Sequence, residues 1–346
     1  MEWAGRATTA YHHAASPISL TLKDAPEATT SLPDFVKSVT PPCNLTPTLP
    51  GGHLQTMYTV VTKEDVPIDF KRHIFESDDM HYPGSYTVDF VAHIPDELKG
   101  GKDEGLPPRT KMFTDAEWAP IEAGSEDKTP MLIALHGLSG GSYEQYLKET
   151  IAPLAYGKGG PQFEVCVVNS RGCARSPVTT PRLFNARSTW DIRQTVKWLR
   201  KKYPNRPLFA VGFSLGANIL VNYLGEEGEA CELKGAVACS NPWDLAQGSI
   251  SLQRSWLGKE VYSKTMATNL KKLFKRHLDV LKQNPKIDIE EVLNAKYLHE
   301  FDRYVDGSLP FTMIDKLTRT GLYSVPSGTT RRRVLIIVMH LQLTHF

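Results

Sequence analysis

Between Met131 and Ser240 the sequence alternates two rhythms, and that alternation restricts the fold more than any other feature. Apolar runs of strand length stand at Met131-Leu132-Ile133-Ala134-Leu135, Phe163 to Asn169, Leu208-Phe209-Ala210-Val211 and Lys234 to Ser240. Between them, Tyr143 to Ala155, Ser188 to Lys202 and Ala217 to Leu224 read as helices. A strand with no polar alternation is covered on both faces, and strands separated by helices are joined by crossovers. The pattern predicts a mostly parallel sheet with helices on both faces. Thr87 to Ala92 alternates and predicts an earlier strand. Gly100 to Lys128 is polar and reads as a surface excursion. Beyond Trp243 the spacing predicts helices over Val261 to Leu281 and Ile289 to Tyr304. Residues 245–305 then suit either a helical cap over an active site or an ordinary outer layer, and spacing leaves both open.

One of the strand ends carries Gly212-Phe213-Ser214-Leu215-Gly216, which runs into the helical start Ala217-Asn218-Ile219-Leu220. A serine on a sharp strand-to-helix turn needs small neighbours, because the chain reverses against itself. Ser214 would then project above the carboxyl end of the sheet as a nucleophile. The next helix offers it amides and a favourable dipole for a developing oxyanion. This strand–turn–helix setting predicts an α/β-hydrolase fold. In that architecture the loop after an earlier strand donates one oxyanion amide, and the residue after the nucleophile donates the other. The backbone N–H groups of Leu138, in His136-Gly137-Leu138, and of Leu215 are the candidates. His136 reads as a brace for its loop, since the chain order in this fold is serine, acid, histidine.

A nucleophilic serine needs a base, and the base needs an orienting carboxylate. Both should follow later strands, yet after Ser240 only Val334 to Met339 reads as a strand. If that strand bears the acid, no Asp or Glu follows it in His340-Leu341-Gln342-Leu343-Thr344-His345-Phe346. If it is the last strand, His340 stands where the base belongs and the acid-bearing strand is missing. Asp244, just beyond the strand ending at Ser240, can then supply the acid and complete a Ser214-Asp244-His340 triad. The other reading of Asp244 is a turn or helix-cap carboxylate. The α/β-hydrolase sheet is therefore expected to be incomplete at its C-terminal end. A chain short of a strand and its helix would be destabilised by an exposed edge and apolar face. The expected organisation is a poorly ordered N-terminal arm over 1–45, a hydrolase core over 46–305 and an aberrant segment over 306–346.

Composition narrows the partners. A formal net charge of +2 over 346 residues predicts no nucleic-acid partner, and the basic triplet Arg331-Arg332-Arg333 reads as a solvated turn. Cys43, Cys166, Cys173, Cys231 and Cys239 are odd in number and lack metal spacing. They suggest a reducing, cytoplasmic setting with no metal site, and Cys166 and Cys239 read as buried thiols. No cofactor is implied. Met1 to Leu20 lacks a secretory apolar core, and no apolar run approaches the ~18 residues of a membrane span. Peripheral contact with a lipid droplet or organelle surface is compatible with both.

Several segments resemble one family. Leu49-Pro50-Gly51-Gly52-His53-Leu54-Gln55-Thr56 is similar to the Gly-His-x-Gln-Thr segment of the AB hydrolase 4 family. His136 to Ser142, Asn169 to Ser176 and Ser240 to Leu245 resemble its fungal branch, which includes medium-chain fatty acid ethyl ester synthase/esterases. The likeness runs from about Thr46 to about Val305, and Pro310 to Phe346 looks unlike the family. The resemblance implies a serine esterase, lipase or alcohol acyltransferase with Ser214 as nucleophile. Its substrates would be medium-chain acyl esters, monoacylglycerols, or acyl-CoA plus an alcohol. Two other readings stand beside it. One is a non-catalytic truncated remnant, or an altered gene model, of such an enzyme. The other is an accessory hydrolase of fungal secondary metabolism.

Overall fold

The structure, a computed structural model, describes residues 9–23, 25–42, 49, 51–61, 66–92, 103, 105–157, 162–306 and 335–339. They fall into two compact units, one holding the described residues up to 61 and the other those from 66 to 339. In the first unit, β1 (Ser19–Leu22) and β2 (Ala25–Ser31) pair antiparallel. Ser31 ends that hairpin and caps α1 (Leu32–Val39), its hydroxyl accepting the Asp34 amide. The range read as an arm thus contains a hairpin and a helix. The Gly-His-x-Gln-Thr segment opens α2 (Gly52–Val61), where Gln55 Nε2 donates to Leu49 O at 3.0 Å.

The second unit is organised by an eight-stranded sheet. It begins with β3 (Asp69–Glu76) and β4 (Ser85–Ala92), followed by β5 (Thr110–Met112) and α3 (Asp115–Ala123). The alternating core is β6 (Met131–Leu135), α4 (Gln145–Tyr156), β7 (Glu164–Asn169), α5 (Trp190–Lys202), β8 (Leu208–Phe213), α6 (Leu215–Glu227) and β9 (Leu233–Cys239). After it come α7 (Leu245–Arg254), a π-helical stretch Leu257–Ser263, α8 (Lys264–Arg276), α9 (Leu278–Leu281), α10 (Ile289–Asn294), α11 (Leu298–Asp306) and β10 (Leu335–Met339). The strand order is β10-β9-β8-β6-β7-β4-β3-β5. Strand β4 runs antiparallel to both β3 and β7, and the other pairs are parallel. This is the mostly parallel α/β-hydrolase sheet that the alternation predicts.

Alternate residues of the buried strands serve opposite layers. Met131, Ile133 and Leu135 join Ile192, Val196 and Leu199 of α5 and Ile219, Leu220 and Tyr223 of α6. Leu132 and Ala134 join Leu147 and Ile151 of α4 on the other face. A third cluster involves no strand. Leu270, Leu273 and Phe274 of α8, Val292 of α10 and Phe301 of α11 pack with Cys173, Val178 and Leu183 of the segment after β7. Leu138 lies against it, half-buried. The helices over 264–306 therefore close on the loops at the carboxyl ends of β6 and β7, not on a sheet face.

Local chemistry breaks both long helices expected from spacing. His277 leaves helical geometry at φ −114° and ψ 17°, and its ring contacts Gly172 O at 3.2 Å, so α8 and α9 are separate. Between α10 and α11, Glu300 Oε2 accepts the amides of Lys296 and Tyr297 at 2.7 and 3.1 Å and starts a new helix. Within the excursion over Gly100 to Lys128, a reciprocal Thr114–Glu117 capping box nucleates α3, which buries none of its residues.

Candidate active site

Strand β8 ends at Phe213, and α6 starts at Leu215, so Ser214 alone makes the turn. It does so at φ 51° and ψ −115°, a conformation costly for any residue with a Cβ. Its N–H donates to Cys239 O of β9 at 2.9 Å, and its carbonyl accepts Asn218 N at 3.0 Å. The side chain is exposed. The flanking glycines are dictated by close approach. A Cβ on Gly212 would stand 2.5 Å from Gly216 O, and one on Gly216 would stand 2.5 Å from both Leu135 O and His136 O. The first turn of α6 is thus packed directly on the end of β6.

That packing brings His136-Gly137-Leu138 beside the serine. A Cβ built on Gly137 would lie 3.6 Å from Ser214 Cβ. His136 is 2% exposed, and both ring nitrogens are engaged. Ser170 N–H can only donate, so Nε2, at 3.0 Å, is the acceptor. Nδ1 then carries the proton and donates to Gly137 O at 2.7 Å. Burial lowers the imidazole pKa to about 4, against smaller opposing effects of the Gly137 carbonyl and Asp89. A neutral ring with both nitrogens occupied braces its loop and is not placed to abstract a proton. Gly137 O also accepts Gly140 N at 3.2 Å. In a trans peptide the N–H lies opposite the C=O, so these two bonds turn Leu138 N–H away from the loop interior. On the other side of Gly137, its N–H donates to Tyr146 Oη at 2.8 Å.

Beneath the loop lies a polar network with no obvious signal in the sequence. Asp89 of β4 is fully buried and Arg72 of β3 is 1% exposed. Arg72 Nε and Nη2 donate to the two Asp89 oxygens at 2.6 and 2.7 Å, and Nη1 donates to Ala174 O at 2.8 Å. Asp89 Oδ2 also accepts Ser142 Oγ at 2.5 Å and Asn169 Nδ2 at 2.8 Å, while Asn169 Oδ1 accepts Ser142 N at 3.1 Å. One carboxylate so ties β3, β4 and β7 to the end of the His136–Ser142 loop. Asp89 reads in the sequence as one more residue of an alternating strand. Its partners come from segments far apart along the chain, which is why only the fold reveals them.

The remaining candidates lie elsewhere. Asp244 is exposed and caps α7, its Oδ1 accepting Gln247 N at 2.8 Å. His340 lies outside the described residues. Strand β10 pairs with β9 from Leu335↔Gly235 to Met339↔Cys239, one strand further from β8. Among the described residues no side chain hydrogen-bonds Ser214 Oγ. Cys166 is buried, with its thiol pKa pushed up by desolvation, whereas Cys239 is only partly buried because it sits at the strand end beside the elbow. Among the described residues no cluster of His, Cys, Asp or Glu could hold a metal, and no helix is long and apolar enough to cross a membrane.

Residues 130–317 match the family profile of the alpha/beta hydrolase fold. The chain is 34% identical over 279 residues to a monoacylglycerol lipase of Saccharomyces cerevisiae, covering 75% of this chain and 60% of that protein. It is 35% identical over 244 residues to medium-chain fatty acid ethyl ester synthase/esterase 2 of the same yeast, covering 64% and 53%. It is 32% identical over 176 residues to phospholipase ABHD3 of Mus musculus, covering 50% and 41%. The chain thus spans 60% or less of the length of each of these relatives. With the sheet order, the Ser214 elbow and a profile match over more than half its residues, the chain belongs to the alpha/beta hydrolase family, among AB hydrolase 4-like proteins.

Proposed function

We propose that this chain is a serine hydrolase of lipid acyl esters that works through an acyl-serine intermediate on Ser214. The observation that carries the reading is the strained, exposed Ser214 held 2.9 Å from Cys239 O and facing Gly137. Ser214 Oγ bonds to the acyl carbon, the N–H groups of Leu138 and Leu215 receive the oxyanion, and the ester C–O bond then breaks as the alcohol leaves with the proton given up by Oγ. Leu215 is the first residue of α6, so its amide has no intrahelical acceptor. Water resolves the acyl-enzyme in hydrolysis, and an alcohol does so in acyl transfer.

The lipid character of the substrate rests on the relatives, named as a monoacylglycerol lipase, an ethyl ester synthase/esterase and a phospholipase. The outer surface agrees with it. Trp256 is 74% exposed and Ile250 40%, and α7 buries none of its residues. Residues 245–276 carry seven Lys and Arg against the single acid Glu260. Exposed aromatic and basic residues together suit the surface of a lipid aggregate.

The test is fluorophosphonate labelling of the full chain beside Ser214→Ala. We expect labelling of the parent and none of the variant. Folded parent protein that stays unlabelled, or a variant that labels equally, would sink the proposal. His340→Gln and Asp244→Asn in the same assay test the Ser214-Asp244-His340 triad. Its acid would have to leave the cap of α7, so Asp244→Asn is expected to label at the parental rate.

A further inference from the structure

We infer that Tyr146 is a further catalytic residue of this site, its phenol O–H serving as a third hydrogen-bond donor to the acyl oxygen received by Leu138 and Leu215. The inference rests on Ser214 being the nucleophile. Tyr146 is the second residue of α4, at the end of the helix nearest the His136–Ser142 loop. Its ring packs against Phe213, the residue before the nucleophile, with centroids 5.0 Å apart. Its oxygen accepts Gly137 N at 2.8 Å. A phenol that accepts on one lone pair keeps its own proton, and no described residue takes that proton.

The hydroxyl is also in range. A Cβ on Gly137 would lie 3.3 Å from Tyr146 Oη and 3.6 Å from Ser214 Cβ, which places Oη within about 7 Å of Ser214 Cβ. An acyl oxygen bonded through carbon to Ser214 Oγ lies about 3 Å from Cβ, so a hydrogen bond to Oη closes at separations up to about 6 Å within that bound. Tyr146 is 37% exposed, so its edge opens toward solvent, where an ester would enter. Desolvation pushes its pKa up, outweighing the opposite pull of the Gly137 N–H, and neighbouring Glu144 adds to the rise, so the group stays a protonated donor. The phenol transfers no proton. As Oγ bonds to carbon and the C=O π pair moves onto oxygen, the existing O–H forms a stronger, charge-assisted hydrogen bond.

Tyr146→Phe keeps the ring against Phe213 and deletes only the hydroxyl. It would be compared with the parent in fluorophosphonate labelling rate, in kcat and KM for a soluble short-chain p-nitrophenyl ester, and in thermal melting. Loss of one oxyanion donor predicts a fall of about 100- to 1,000-fold in labelling rate and kcat, with KM unchanged and the melt lowered only by the one lost bond to Gly137 N–H. If parent and variant label at one rate, Tyr146 plays no catalytic part, although Ser214 remains the nucleophile. A slower variant whose stability falls by more than the single bond to Gly137 N–H is worth, or whose KM rises as kcat holds, assigns Tyr146 to loop support and overturns the inference. A parent that does not label at all overturns the Ser214 reading, and this one with it.

Discussion

Ser214 N–H donates to Cys239 O at 2.9 Å, so the strand beside the elbow holds the serine in a backbone conformation that it would not adopt alone. At φ 51° and ψ −115° the Cβ is the source of strain, of roughly 1–3 kcal/mol. Glycine removes that strain but costs about 0.5–1 kcal/mol in unfolded-state entropy. Relief of strain outweighs the entropy lost. Ser214→Gly should be more stable than the parent by about 1 kcal/mol, read as a higher urea midpoint, while abolishing labelling. Ser214→Ala, which keeps the Cβ, should show little gain. A lower midpoint for Ser214→Gly than for Ser214→Ala would mean that the elbow stores no such strain.

Gly216 and Gly248 both stand in helices, yet alanine should act on them in opposite directions. At Gly216 the new methyl meets three backbone atoms within 2.7 Å, at Leu135 and His136, and neither segment is free to move. Overpacking of this kind costs about 1–3 kcal/mol or more. It should also displace the elbow, so Gly216→Ala should both melt early and label slowly. Gly248 lies in α7 with nothing within 4 Å of a Cβ. There alanine should add about 0.5–1 kcal/mol through helix propensity alone. Urea denaturation of the two variants checks both signs.

The parts of this molecule legible in the sequence are those set by local rules. Strands β6 to β9 announce themselves as unbroken apolar runs, because both faces are covered. The elbow is legible because Gly212 and Gly216 are required by contacts within a few residues or with one adjacent strand. Strand β3 is harder to see, since Lys71, Arg72 and His73 interrupt its apolar residues, and the reason for Arg72 is Asp89 on its antiparallel neighbour. Tyr146 looks like any aromatic residue of an amphipathic helix until the Gly137 amide is placed on its oxygen. The helix breaks at His277 and before Leu298 depend on side chains reaching back to backbone groups, which hydrophobic spacing does not encode.

The Arg72–Asp89 pair should be among the most sensitive positions in the second unit. Removing one partner of a buried ion pair leaves the other charged and unsolvated, at a cost of about 3–5 kcal/mol. Asp89→Ala additionally frees Ser142 and Asn169, so the loop bearing Leu138 loses its anchor. The double variant Arg72→Met/Asp89→Leu removes both charges and fills the space. It should recover much of the stability lost in Asp89→Ala but not the labelling rate, because the Ser142 hydroxyl stays without its acceptor and only the Ser142 N–H bond to Asn169 ties down the loop. A double-mutant cycle in urea separates the pair from the loop. Full recovery of labelling would show that Asp89 supports the fold without organising the loop.

His136 should give the protein a defined acid sensitivity. Burial lowers the pKa of the folded imidazole to about 4, against an ordinary value of 6.5. Between those values the unfolded chain binds a proton that the folded chain refuses, so stability is fully present above pH 6.5 and falls as pH drops toward 4. The full loss is on the order of 3 kcal/mol. His73 and His277, whose pKa values are also lowered by burial, slope in the same direction, so the contribution of His136 must be isolated by difference. In His136→Asn the unfolding free energy should start lower than in the parent at neutral pH, and the gap should narrow by about 3 kcal/mol on acidification to about pH 4. The labelling rate of the parent should fall over the lower part of the same window. A protonated Nε2 cannot accept Ser170 N–H, so the ring loses its tie to the Ser170 backbone while Nδ1 still donates to Gly137 O. A gap that stays constant with pH would mean that His136 titrates alike in the folded and unfolded chains, and would remove it as the clamp of this loop.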